Sequence, residues 1–500
     1  DGYQTQALST RLGIPLIYGV DAVHGDGGVK GAVLFPHNIG LGATRNAELV
    51  QRAARVTARE TAGSGVRWAF APCIAVARDE RWGRTYESFG ESPELAETLG
   101  AAVVRGLQEA NDATAVLACA KHFVGDGGTF HGKDRGDTRV PEEELRRLHL
   151  RGYAAAIKAG VGSVMVSYSS WNGVPMHGND RLITSVLKGE LGFTGFVVSD
   201  WAAIDLMSAD YTADIERAVN AGIDMIMVPI RYRAFIAGMK ALVAAGRITQ
   251  ARIDDAVRRI LKQKARFKLW ERPFADRALT AAVGSPEHRA VAREAVRQSL
   301  VVLKNERAAL PIRAGARVHL CGSRADDLGV QCGGWSVAWR GHRGTWTTGT
   351  TIRAALEQAL GAGRVDYSTE GARAAQADLV VAVVGEDPYA EGSGDRTRLE
   401  LPAADRALIA AARQAGKPLV VVLLAGRPLI LGDVLDAASA VVVAWLPGTE
   451  GAGVADVLVG AAKPVGKLPC TWPRSMTQIP INVGDPGYDP LFPYGFGLGW

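Results

Sequence analysis

Cysteine is scarce and unpatterned in this sequence. Cys73, Cys119, Cys321, Cys332 and Cys470 are odd in number, and no C-x-x-C pair occurs. This excludes a dense disulfide framework and gives no sign of a cysteine zinc site; Cys119, in an apolar run, reads as a small core residue. Long apolar runs are also missing. The stretch 418–425 is among the longest and is too short to cross a bilayer. Charge is nearly balanced, with 57 Lys and Arg against 52 Asp and Glu, and no basic tract appears, so nothing indicates a nucleic-acid or membrane partner. No G-x-x-x-x-G-K-[ST] exists. Gly495-Phe-Gly-Leu-Gly has no helix after it, and Gly127-Gly128 lacks the rest of a nucleotide fingerprint, so these glycines read as loop geometry. No metal-ligand cluster, repeat or low-complexity tract is evident, and no cofactor is expected. The chain starts at Asp1 without a methionine or leader, from which a removed or omitted upstream piece is expected.

What is present is an alternation. Five hundred residues, 47% of them hydrophobic, are more than one core usually serves. In the first half, short apolar runs at 15–20, 66–74, 115–120, 163–166, 196–198 and 225–228, with a weaker one near 32–41, predict strands. Helical periods at 47–61, 92–109, 142–159 and 211–220 lie between them. Such alternation implies a parallel sheet with right-handed crossovers. An eight-stranded barrel, a variant barrel and a large open sheet all fit. The barrel is favoured because strand ends deliver Asp21, Lys121, His122, Tyr168 and Asp200; eight strands would call for an element upstream of Asp1. Helical pattern fills 234–267, and a Pro-containing break follows at 269–276. A helix at 285–298 leads into a strand at 299–303. Strands at 318–321, 379–384, 419–424 and 440–445, with helices at 352–362 and 402–415, predict a second, smaller α/β domain. The expected division is a barrel over 1–272, a linker over 273–290 and an α/β domain over 291–500 with a wrapping tail.

The stretch G-F-V-V-S-D-W, 195–201, is the most pointed local signal. A buried strand ends at Asp200 beside Trp201. Asp200 taken alone reads equally as a helix N-cap and as a catalytic carboxylate. Two carboxylates, basic groups and tryptophans in one barrel mouth suit sugar chemistry: one carboxylate attacks, the other protonates the leaving oxygen. Aromatic faces cover the C–H faces of the ring, and charged groups bind its hydroxyls.

Ordered stretches through almost the whole chain carry a resemblance. They are Y-G-V-D-A-V-H-G (18–25), F-P-H-N-I-G-L-G-A-T (35–44), R-W-G-R-T-Y-E-S (81–88), A-K-H-F-V-G-D-G-G-T (120–129), S-Y-S-S-W-N-G (167–173), V-V-S-D-W (197–201), Q-C-G-G-W (331–335), A-W-L-P-G-T-E-G (444–451) and N-V-G-D-P (482–486). The sequence resembles glycoside hydrolase family 3, in its two-domain, exo-acting β-glucosidase and glucan exohydrolase branch. The resemblance implies an α/β protein, a (β/α)8-type barrel followed by an (α/β)6 sandwich, with the site between them. It implies Asp200 as nucleophile and Glu450, in the P-G-T-E-G loop, as acid/base. Glu450 also reads as a loop glutamate near a helix start, and Glu386 and Glu391, after another second-domain strand, are rivals. Asp21, Arg84, Lys121, His122, Tyr168 and Met165 are implied to hold the terminal sugar. Each charged member reads equally as part of a rim ion pair, Asp21 with Arg84 or Lys121 above all. Trp201, Trp335 and Trp339 are implied to flank the next sugar. Trp335 and Trp339 share a face only if their segment is helical, and its glycines argue against that.

The loop K-H-F-V-G-D-G-G carries Asp126 where the family's β-N-acetylglucosaminidases have a dyad histidine, so a glucoside substrate and a glutamate acid are expected. The charged loop 131–137 is expected to border the outer subsites. The implied function is retaining, exo-acting hydrolysis of β-glucosides and gluco-oligosaccharides, in the periplasm or outside the cell. A silent sugar-binding protein on the same scaffold, a β-xylosidase and a barrel isomerase with a nucleotide domain are the alternatives, the last disfavoured by the missing phosphate motifs. Linkage preference and oligomeric state are left open.

Overall fold

The structure is a computed structural model that describes residues 1–110, 112–370 and 374–500. In the first half, β1 (Gly19–Val20), β2 (Trp68–Ala69), β3 (Leu117–Phe123), β4 (Ser163–Val166) and β5 (Phe196–Val198) pair in that order, all parallel. Met225 adds a further parallel bridge to Val198. Helices Ala47–Gly63 and Pro93–Gln108 pack outside this arc. Asn46 caps the first by accepting from the Leu49 amide, and Ser92 caps the second ahead of Pro93, the arrangement that favours a helix start.

The period of two along each strand decides what the arc contains. Trp68, Leu117, Cys119, Met165, Phe196 and Val198 form one buried cluster, with Phe70 and Met227 packed on it. Ala69, Ala118, Ala120, Val164, Val166 and Val197, in the opposite phase, join the larger core with the helices. Continued past the apolar residues, the inner phase reaches Lys121 after Cys119 and Asp200 after Val198. The sequence alternation therefore carries these two polar groups to the C-terminal mouth.

The second half is a six-stranded sheet. Its strands are β6 (Val301–Asn305), β7 (Val318–Cys321), β8 (Val365–Ser368), β9 (Leu379–Gly385), β10 (Leu419–Leu424) and β11 (Ala440–Trp445). They run in the order β8-β7-β9-β10-β11-β6, with β6 antiparallel and the rest parallel. All residues of β9, β10 and β11 are buried, which explains their uninterrupted Val and Leu runs: both faces of the sheet are covered. Helix Pro286–Ser299 joins the halves, packing on Ala47–Gly63, on Asn38–Thr44 and on Ala452–Leu458.

Three expectations fail locally. The strand expected at 225–228 is reduced to the single bridge at Met225. The weak strand near 32–41 is absent; Asn38–Thr44 is a helix instead. The helical pattern over 234–267 is two helices, Tyr232–Ala244 and Gln250–Arg266. They part at Gly246, whose φ of +71° is a left-handed turn that a continuous helix does not accommodate.

Candidate active site

A cavity of about 510 Å³ opens where the two halves meet. Asp21, Phe70, Arg84, Lys121, His122, Arg135, Met165, Tyr168, Asp200, Trp201 and Met227 line it from the first half, and Trp335, Trp339 and Glu391 from the second. The sequence-derived candidates meet here, except Glu450 and the rival Glu386.

Asp200 sits on the turn after β5. Its backbone amide donates to His177 Nε2 at 3.0 Å, and its Oδ1 accepts from the Trp201 amide at 2.6 Å. Burial pushes the carboxyl up to about 6, opposed by the cations Arg84 and Lys121. His177 is buried and held down to about 3; it is neutral, and its Nε2 is an acceptor. The capping role open to Asp200 is not used for a helix, since Ala202 follows in a left-handed conformation with φ of +54°.

Lys121 Nζ lies 2.8 Å from Asp21 Oδ1, and the lysine is buried while Asp21 is partly open. Burial disfavours the ammonium, but Asp21 and Glu87 together outweigh it and hold Lys121 above its usual range. Arg84 binds Glu87 through two bonds of 2.9 Å and donates to His122 Nε2 at 3.0 Å. His122 Nδ1 then donates to Asp126 Oδ2 at 2.9 Å, which fixes one neutral tautomer. Burial, and then the nearby Arg84 and Lys121, keep that ring well below its usual value. His122 Nε2 is 4.0 Å from Asp200 Oδ2. Ligand atoms of Cys73, His122 and Asp126 fall within 4.8 Å of one another, a grouping the sequence did not disclose. Both imidazole nitrogens are engaged as described, and burial pushes the Cys73 thiol up, so the trio is a poor cation site as it stands.

The second half reaches the cavity by two loops. One carries Trp335, with φ of +55°, and Trp339. The segment is not helical; the two rings are 6.5 Å apart and 61° from parallel. Trp335 lies over Lys121 and Arg84, 5.2 Å and 5.7 Å from their charged ends, a cation–π arrangement. Buried His37 anchors this loop, its Nε2 sharing a proton between the carbonyls of Cys332 and Gly334 at 3.1 Å each. The other loop follows β9 and turns at Glu391–Gly394. Asp395 ties it down by accepting from the Gly83 amide and the Asp134 amide, each at 2.8 Å. Glu391 is left with Arg135 Nη2 at 3.0 Å and Arg84 Nη1 at 3.5 Å.

Glu450, expected as the acid/base, is not among the residues lining this cavity. Its Oε1 accepts from Arg289 Nη1 at 2.8 Å on the joining helix, and its backbone bridges to Thr350. β11 ends against Leu34 and Thr350, to which Thr449 is hydrogen-bonded, so the P-G-T-E-G loop is aimed away from the cavity. Glu386 is also engaged, with Arg427 at 3.1 Å and the Tyr389 hydroxyl at 2.9 Å. Among the described residues, Glu391 is the one glutamate on the cavity wall. Sequence reasoning weighed Glu391 as a rival but carried no motif for it. Arg135 was missed; the charge density of 131–137 was its only signal.

Comparison with known proteins bears on this geometry. Residues 1–263 match the model of the glycosyl hydrolase family 3 N terminal domain, and residues 300–500 match that of the glycosyl hydrolase family 3 C-terminal domain. The chain belongs to glycosyl hydrolase family 3. The lysosomal beta glucosidase of Dictyostelium discoideum is 36% identical over 97% of this chain and 65% of its own length. The periplasmic beta-glucosidase of Salmonella typhimurium is 34% identical, over 99% of this chain and 72% of its own. The crystal structure of an exo-1,3/1,4-beta-glucanase from a Pseudoalteromonas species superposes with a TM-score of 0.95 at 43% identity, covering 99% of this chain and 65% of that one. The chain thus spans about two thirds of the length of these family 3 relatives. Its architecture is the family's, a TIM-barrel-like first domain and a sandwich second domain. Among the described residues, no helix is long and apolar enough to cross a membrane.

Proposed function

We propose that this family 3 chain is a retaining, exo-acting β-glucosidase in which Asp200 is the nucleophile and Glu391 the acid/base. The observation that carries this reading is the cavity's set of carboxylates. Asp21, Asp200 and Glu391 line it, and Asp21 is committed to Lys121. Asp200 on the barrel mouth and Glu391 brought over from the second domain supply the two carboxyl groups that glycoside hydrolysis uses.

In the first step Asp200 attacks the anomeric carbon, the glycosidic C–O bond breaks, and Glu391 gives its proton to the departing oxygen. In the second, water attacks the same carbon, Glu391 takes a proton from it, and Asp200 leaves. Lys121 and Arg84 donate to sugar hydroxyls and Asp21 accepts from them; His122 is held in place by Asp126. Trp201, 63% exposed, and Trp339, 46% exposed, offer flat apolar area to the outgoing sugar, with Trp335 behind them. The names of the relatives support a β-glucoside substrate, and that of the Salmonella protein supports an exported location. A division into a barrel over 1–272, a linker over 273–290 and a second domain over 291–500 belongs to the same reading.

NMR of the first-formed sugar from an aryl β-glucoside tests the mechanism. The β-anomer is expected, whereas initial release of the α-anomer contradicts double displacement. Asp200→Asn is expected to abolish the glycosyl-enzyme seen by mass spectrometry with a fluorinated slow substrate.

A further inference from the structure

Arg135 stands in the charged loop and is absorbed by none of the roles above. Its Nη2 is 3.0 Å from Glu391 Oε2, and its guanidinium carbon lies 4.2 Å over the ring of Tyr168. The ring and the carboxylate fix the guanidinium from two sides, and the group faces the cavity. Both partners in the ion pair have left-handed backbones, φ +59° at Arg135 and +52° at Glu391. Non-glycine residues are held so only where their surroundings impose it. Here Asp395 does so, bonding the amide of Asp134 while it anchors the Glu391 loop to Gly83.

We propose that Arg135 positions Glu391 at the mouth of the cavity. The inference rests on the reading of Glu391 as acid/base. The charged and titratable groups around Glu391 are few. Arg84 faces Oε1 but is committed to Glu87 and His122. Asp134 Oδ2 is 3.9 Å from Arg135 Nε. Tyr168 and Asp200 feel the Glu391 charge across the cavity. Asp395, on the same loop as Glu391, is turned to backbone amides. Arg135 is thus the nearest cation not held by another carboxylate at hydrogen-bond distance. Held by the Tyr168 ring and the Glu391 carboxylate, it fixes the direction in which that carboxyl points.

The test is kcat/KM for the full chain carrying Arg135→Gln, with activated and poor aryl β-glucosides. Poor leaving groups are expected to be slowed by a further factor of about ten to a hundred relative to activated ones; equal loss on both substrates overturns the proposal. Arg135→Lys keeps the charge but loses the planar fork. It is expected to show the same selective loss on poor leaving groups, and equal loss there overturns the proposal as well; this variant decides the matter should the glutamine variant not fold. Glu391→Ala separates the two readings. If azide restores its turnover while Arg135→Gln loses both substrates equally, only the role of Arg135 falls. If azide does not, the role of Glu391 falls and that of Arg135 with it.

Discussion

At the scale of single residues, the site is a set of buried charges that neutralise one another and leave Asp200 short of a close partner. Lys121 is paired with Asp21 and Arg84 with Glu87, while the Asp200 carboxylate accepts from the Trp201 amide and stands 4.0 Å from a neutral imidazole nitrogen. A carboxyl raised to about 6 by burial must lose its proton before it can attack. Below that pH the free enzyme is protonated at Asp200, so kcat/KM is expected to fall about tenfold per unit on the acid side of pH 6. A profile that stays flat well below that value contradicts this. Asp200 and Lys121 were legible in the sequence because strand periodicity fixes their phase and the apolar run marks the strand's end. His122 was legible as a strand-end residue, while its sugar-binding role and that of Met165 came from the resemblance to the family. Arg135 and Glu391 were not legible as a pair, because each lies on a loop whose course is set by Asp395, a residue remote from Arg135 in sequence.

At the scale of elements, the site depends on how closely the Glu391 loop rests on the loop around Arg84. A Cβ on Gly83 would come within 2.2 Å of the Glu391 carbonyl oxygen and 2.7 Å of the Asp395 amide nitrogen. Neither backbone atom can yield as a flexible side chain would. Gly83→Ala is expected to push the loop off its seat, costing about 1–3 kcal/mol in stability and most of the activity. Denaturant unfolding and steady-state kinetics check both; parent-like activity contradicts this seating. Arg427 supports the same loop from below. It is fully buried, pairs with Glu386 at 3.1 Å and donates to the carbonyl of Arg81 at 3.0 Å. Arg427→Ala strands the Glu386 carboxylate and is expected to cost about 3–5 kcal/mol, measured as a lowered midpoint of unfolding. The two loop glutamates show the limit of sequence grammar at this scale. Glu450 and Glu391 both follow a buried strand of the same sheet. Only the tertiary paths of β9 and β11 separate them, one loop running to Gly83 and the other to Leu34 and Thr350.

At the scale of the whole molecule, the cavity exists only where the two domains meet, since Trp335, Trp339 and Glu391 come from one and Asp200, Lys121 and Arg84 from the other. Glu450 belongs to this scale. Through Arg289 it fastens the joining helix to the second domain, as Asp456 does with Arg293 and Arg297. Glu450→Ala is therefore expected to lower stability without selecting against poor leaving groups. The central claim is the assignment of the acid/base, and azide rescue tests it most directly. Glu391→Ala, assayed with an activated aryl β-glucoside, should accumulate the glycosyl-enzyme and regain turnover on addition of azide, yielding β-glucosyl azide. If Glu391→Ala gives no such product while Glu450→Ala does, the acid is Glu450 and the assignment to Glu391 is wrong.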